Sequence, residues 1–259
     1  MSLREPFDVL TYQCNICNQS CMTRLSSLGR EIPSCPKCGS TVRMRAIVYL
    51  LSQELFGRSL ALSDFPVCPD LHGVGLSDWI GYAMPLAHKL GYTNTFYHTE
   101  PRLDIAATPD PAMEGTLDFL ISSDVFEHIT PPVSRGFETV YRLLKPGGVA
   151  IFTVPFVPDG QTREHFPELH QFSIEEQGNQ RILRNVTRDG REQVFDELLF
   201  HGGDGATLEM RLFAQNSLLA EFSVAGFREI KIRNEPDYDH GVYWNTDWSG
   251  ASWPITARK

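Results

Sequence analysis

Two cysteine pairs open the chemistry of this 259-residue chain: Cys14-Asn15-Ile16-Cys17 and Cys35-Pro36-Lys37-Cys38, with 17 residues between them. Four thiolates at that interval can surround a tetrahedral zinc ion, and paired CxxC knuckles are the usual way of presenting them. Gly39 and Ser40 add the small, polar tail of a zinc-ribbon knuckle. Two other readings stand beside this one. The pairs could form disulfides, which a reducing compartment disfavours, or the module could be a ribbon without its metal. Cys21 is a spare thiol that could replace Cys17 as a ligand, and Cys68 reads as a small buried residue in a strand.

A second set of reactive types sits in loops. Ser122, Ser123, Asp124, Glu127 and His128 crowd one short stretch, and His165, His170 and His201 follow in segments rich in proline and glycine. Histidine changes protonation near neutral pH, so a loop histidine can take a proton from a hydroxyl acceptor. A single histidine is more often structural than catalytic. Several on one edge improve the odds for the set, with His165 and His201 ahead of His128.

The elements that must position these groups read clearly between residues 116 and 156. Leu117 to Ser122 is an apolar run of the kind buried on both faces of a sheet. Pro131 and Pro132 suit a helix start, and Val133, Phe137, Val140, Tyr141 and Leu144 form one apolar stripe. Pro146-Gly147-Gly148 stops that helix, and Val149 to Val154 is a second buried strand. Strand, helix and strand at this spacing make a right-handed parallel crossover. The polar loop therefore falls at the carboxyl end of a strand, where open α/β sheets bind their ligands.

DVFEHI and LLKPGG, read in order at residues 124–129 and 143–148, resemble the signature of class I S-adenosylmethionine-dependent methyltransferases. The resemblance is to the large type 11-like group with a (D/E)xxEH…LKPGG pattern. It is looser over about residues 65–230 and absent from the N-terminus. It implies a Rossmann-like α/β methyltransferase sheet with helices on both faces, and S-adenosylmethionine as cofactor. His72-Gly73-Val74-Gly75-Leu76-Ser77-Asp78 then supplies the glycine turn after the first strand, which is expected over Phe65 to Gly73. The family's third glycine is replaced, with Ser77 at the later position. Glu100 closes a second strand over Thr93 to His98, where an acid accepts from ribose hydroxyls. The resemblance places the third strand at residues 101–106 and gives Asp104 the adenine amino group. Ser122, Ser123 and Asp124 complete the cofactor edge. Related O-methyltransferases hold a divalent metal on a similar triad, which here would be Asp124, Glu127 and His128.

The organisation that follows is a zinc-ribbon-like module at 1–42, a linking helix at 43–60 and a methyltransferase domain at 61–259, with an insertion at about 157–206 shaping the acceptor side. Within that insertion, Thr187-Arg188-Asp189-Gly190 marks a β-hairpin. HGGDG at 201–205 is a further turn, Thr207 to Ala225 a helix, and Phe227 to Asn234 with Trp253 to Arg258 an antiparallel pair. Arg43 and Arg45, at the first turn of the linking helix, read as surface arginines or as anion holders. The net charge of −9 is unevenly spread, +3 over residues 1–60 and −12 over the rest. An acidic body disfavours nucleic acid as a large partner. With no apolar run long enough to span a bilayer and no signal-peptide pattern, the expectation is a cytoplasmic enzyme free of the membrane. Its expected activity is methyl transfer to an oxygen of a small molecule or glycan. The alternatives are a zinc-ribbon RNA base methyltransferase and a non-catalytic scaffold that keeps the cofactor fold.

Overall fold

The structure, a computed structural model, describes residues 8–178, 180–201, 207–244 and 252–259. The chain begins with a hairpin of β1 (Val9–Gln13) and β2 (Ser20–Arg24), followed by helix α1 (Val42–Phe56). Thr41 caps α1 by accepting from the Met44 N–H, and Gly57 ends it in the left-handed region at φ 70. Next come β3 (Cys68–Leu76), α2 (Ile80–Lys89), β4 (Leu90–Thr95) and β5 (Leu117–Ser123). The crossover α3 (Ser134–Leu143) leads into β6 (Leu144–Thr153). A run of short strands follows: β7 (Phe156–Val157), β8 (Arg163–Glu164), β9 (Gln171–Gln177), β10 (Gln180–Val186), β11 (Glu192–Phe195), β12 (Phe200–His201), β13 (Thr207–Leu208) and β14 (Arg211–Ala214). Helix α4 (Gln215–Ala225) and strands β15 (Arg228–Ile232) and β16 (Ile255–Arg258) complete the fold.

Six strands form the central sheet in the order β15-β16-β6-β5-β3-β4. β4, β3, β5 and β6 run parallel, and β16 lies antiparallel between β6 and β15. This is a Rossmann-like methyltransferase fold. From β3 the chain goes to β4 on one side and returns to β5 on the other. The crevice of such a sheet opens at that reversal, beyond the carboxyl ends of β3 and β5.

Alternation along the strands divides the core. Phe119, Ile121, Val149 and Ile151 pack on one face with α1 and α2, while Leu120, Ala150 and Phe152 pack on the other with α3 and α4. The first of these clusters also contains Leu10, Tyr12, Cys14, Ile16 and Leu28. The cysteine-bearing segment thus shares one continuous core with the sheet, with α1 between them.

Several sequence expectations shift. Gly73 and Gly75 lie inside β3, paired with β4 and β5, and not in a turn after it. A Cβ at Gly75 would sit 2.1 Å from both Asp78 Oδ2 and the Tyr92 hydroxyl, so this glycine admits the protein's own side chains. The second strand begins earlier than expected, at Leu90. The third strand expected at 101–106 is absent from the described sheet, where a lone bridge from Phe96 to Arg102 stands in its place and β4 is the edge. The hairpin forms as expected, with Val186 opposite Glu192 and Gly190 at φ 85, but a third strand, β9, joins it. The first part of the helix expected over Thr207 to Ala225 is extended instead, as β13 and β14. Arg211–Ala214 is pinned between β7 and β8, and that pairing overrides helical propensity. The turn at 202–205 lies outside the described residues.

Candidate active site

Ser77 and Asp124 are non-glycine residues in the left-handed region, at φ 56 and φ 53, and they end the neighbouring strands β3 and β5. Such backbone is costly and persists where the surroundings enforce it. Ser77 N–H donates to Thr95 O and Asp124 N–H donates to Thr153 O, so each turn is tied to the next strand. Between them the crevice floor carries Ser122, buried with no partner for its hydroxyl among the described residues, and Ser123.

Asp78 lies beneath this floor. It is buried and accepts from the Tyr82 and Tyr92 hydroxyls at 2.8 and 2.7 Å. Burial raises its pKa to about 7 against the pull of those two donors.

The cysteine module reaches the same edge. Arg30 grips Asp124 in a fork, Nη1 to Oδ2 at 2.9 Å and Nη2 to Oδ1 at 2.5 Å, and the Thr153 hydroxyl donates to Oδ1 at 2.9 Å. Arg43 Nη1 donates to the Ser123 hydroxyl, and its Nε stands 3.3 Å from Asp124. Burial would raise the Asp124 pKa, but the two guanidinium groups outweigh it and hold it at about 2. Arg43 is therefore not a free surface arginine but is paired with Glu31 and Asp124 of the chain itself. Arg45 is neither a surface arginine nor paired with a carboxylate. It is fully buried, donates to Ser40, Ser34 and the Gly241 carbonyl, and stacks over Tyr12 at 4.9 Å.

Expectations for a shared cation at Asp124, Glu127 and His128 need correcting. Asp124 spends its oxygens on arginines, whose charge repels a cation. Glu127 is buried, and burial, with Asp124 nearby, pushes its pKa well above the ordinary range. His128 donates from Nδ1 to Leu208 O at 2.9 Å, and burial lowers its pKa. Glu100 and Asp104 are also placed differently. Both turn back on the chain, accepting from the N–H groups of Arg102 and Ala106, and Glu100 lies beyond the end of β4.

On the acceptor side, His165 and His201 converge on one carboxylate that sequence reading missed. His165 Nε2 bonds to Glu209 Oε1 at 2.7 Å and His201 Nε2 to Oε2 at 2.6 Å. The His128 ring lies 5.9 Å from that of His201. The segment carrying Glu209, between β13 and β14, is held beside the DVFEHI loop: Met210 N–H donates to Glu127 O, and Arg211 Nη1 to Phe126 O. Each Nε2–H donated to Glu209 fixes a tautomer whose lone pair is on Nδ1. His170 is not part of this group; its backbone N–H is held by Asn185. A signal for Glu209 did exist. Leu208, Met210 and Leu212 alternate with polar residues, the period of a strand, and a carboxylate in such a run needs partners if buried.

The sulfurs of Cys14, Cys17, Cys35 and Cys38 lie within 4.8 Å of one another, with Cys14–Cys38 at 3.7 Å and Cys17–Cys35 at 3.6 Å. Tetrahedral ligands on bonds of about 2.3 Å stand about 3.8 Å apart, so the set fits a zinc ion. Burial opposes ionisation of Cys35, yet the backbone N–H groups of Cys38 and Lys37 bring its pKa down to about 6. Cys21 lies 3.8 Å from Cys35 but outside the four.

Residues 94–152 match the family described as "Methyltransferase domain". No curated protein matches the chain. Among solved structures, an S-adenosylmethionine-dependent methyltransferase from Mesorhizobium loti is similar at 15% identity and TM-score 0.41, over 77% of this chain and 96% of that one. The 1,6-didemethyltoxoflavin-N1-methyltransferase of Burkholderia thailandensis, solved with S-adenosylhomocysteine, gives 14% and 0.43 over 83% and 77%. An amino pentose methyltransferase from Micromonospora echinaspora gives 12% and 0.44 over 85% and 92%. The family match supports S-adenosylmethionine-dependent methyl transfer as the class of chemistry and leaves the acceptor open. Among the described residues, no helix is long and apolar enough to cross a membrane.

Proposed function

We propose that the protein transfers the methyl group of S-adenosylmethionine to a hydroxyl oxygen of a small molecule or glycan, with the His165–Glu209–His201 group as its base. The observation carrying this reading is the shared carboxylate. Glu209 orients two imidazoles with basic Nδ1 atoms beside the crevice, and it steadies whichever imidazolium forms. The sulfonium supplies the methyl group, which passes in line to the acceptor oxygen as the carbon–sulfur bond breaks and S-adenosylhomocysteine leaves. The hydroxyl proton goes to the imidazole. Ser77, Ser122 and Ser123 line the cofactor side, and much of the rate comes from holding donor and acceptor in line. Zinc on Cys14, Cys17, Cys35 and Cys38 is structural in this reading and holds the loop that carries Arg30.

The experiment pairs binding with turnover. Calorimetry with S-adenosylhomocysteine should show one site per chain. His165→Ala should then lower turnover on a hydroxyl acceptor by about 10²–10⁴-fold while leaving that binding unchanged. Full turnover in both His165→Ala and His201→Ala would refute histidine base catalysis. Absence of cofactor binding would refute the methyltransferase reading itself.

A further inference from the structure

Arg43 makes one contact that neither the fold nor the proton transfer requires. Its Nε and Nη2 grip both oxygens of Glu31, at 2.6 and 2.8 Å, and Arg30 Nη1 donates to the same carboxylate. The guanidinium of Arg43 is 14% exposed and stands over the reversal of the sheet. It contacts Ser123 at the end of β5, and its charge acts on Asp78 and Tyr82 under the end of β3. Two carboxylates share the two guanidinium groups, and they differ in how firmly they are fixed. Asp124 is 22% exposed and tied by its backbone and by Thr153 as well as by Arg30. Glu31 is 47% exposed, sits in a loop and is held by the arginines alone among its hydrogen bonds. A half-exposed ion pair contributes little, so exchanging this carboxylate for another costs little.

We propose that Arg43, with Arg30, is the binding site for the α-carboxylate at the amino-acid end of S-adenosylmethionine, and that Glu31 occupies this site until the cofactor displaces it. The inference rests on the methyltransferase reading above. A free carboxylate would take the two-pronged geometry that Glu31 now holds. The cysteine module then supplies part of the cofactor pocket, and Glu31 competes with the cofactor from within the chain.

The test compares two ligands by calorimetry on the zinc-loaded full chain. S-adenosylhomocysteine carries the carboxylate; 5′-methylthioadenosine has the same nucleoside thioether without the amino-acid end. Glu31→Gln should tighten S-adenosylhomocysteine by about 3–10-fold and leave methylthioadenosine unchanged. Arg43→Met should weaken S-adenosylhomocysteine by about 10–100-fold, again sparing methylthioadenosine, so that the two affinities converge. Equal effects on both ligands, or no effect of Glu31→Gln, would overturn the proposal. Should Arg43→Met fail to fold, the Glu31 arm decides, because that residue is half exposed. A wild-type chain that binds neither ligand refutes the methyltransferase reading and this proposal with it. A chain that binds both with the same affinity refutes the proposal alone.

Discussion

Asp124→Asn offers a quantitative test of how the cysteine module is fastened to the sheet. In the folded chain the Asp124 pKa falls from an ordinary 3.8 to about 2. That difference corresponds to about 2–3 kcal/mol of stability at neutral pH, at 1.36 kcal/mol for each tenfold. A folded pKa below the unfolded one means that the contribution is complete above about pH 4–5 and is lost as pH falls through the folded value near 2. Urea unfolding of the zinc-loaded protein should therefore show Asp124→Asn less stable by about 2–3 kcal/mol, with the same deficit at pH 7 and pH 5. A double-mutant cycle with Arg30→Met should give a coupling of about 1–2 kcal/mol, the rest belonging to Arg43. Coupling below about 0.5 kcal/mol would mean that the fork contributes nothing net. A deficit that changes between pH 5 and 7 would place the effect on some other titrating group.

Glu209→Gln should lower turnover by about 10–10²-fold with unchanged S-adenosylhomocysteine affinity, since it disorients the imidazoles without touching the cofactor; steady-state kinetics with calorimetry checks it. Asp78 has a raised pKa of about 7, so its burial costs stability as pH rises from about 4 through 7. Asp78→Asn should remove that slope, and melting temperatures across this range would show whether it does. Metal analysis should find about one equivalent of zinc in the wild-type protein, and Cys35→Ser should lose it and melt at a lower temperature, because the four clustered sulfurs would hold the ion.

What could be read from the sequence followed from local pattern. The crossover from Leu117 to Thr153 combines buried runs, an apolar helical stripe and a proline–glycine stop, all within a short stretch. The cysteine knuckles and the Asp189-Gly190 turn are equally local. What stayed hidden depends on distant partners. Every residue of β9 is exposed, so no alternation marks it as a strand. Arg30 and Arg45 look ordinary until Asp124 and Gly241 arrive from far along the chain. Glu209 is meaningful only once His165 and His201 meet on it. Asp104 was expected from a strand that the sheet does not have, and Glu100 from a second strand that ends sooner, at Thr95, since the stretch after β4 folds back on itself through Phe96, Pro101 and Leu103.

The bonds from Arg45 to Gly241 and from Arg30 to Ser252 bear on synthesis as well as on the finished molecule. The Gly241 and Ser252 carbonyls are translated 196 and 222 residues after the arginines that donate to them. Until then Arg45 has Ser34 and Ser40 as acceptors but not the Gly241 carbonyl, and the Leu10 and Tyr12 side lacks the turn at Gly241, whose backbone packs so close to the Tyr12 ring that a Cβ would stand 2.5 Å from it. A nascent chain must hold this apolar surface open while the whole sheet is translated, a period in which chaperone binding or misassembly competes with folding. Stalling or premature termination anywhere before residue 241 should leave the module metal-competent but undocked. Quality control would then read a missing turn at Gly241 as an exposed face of the cysteine module.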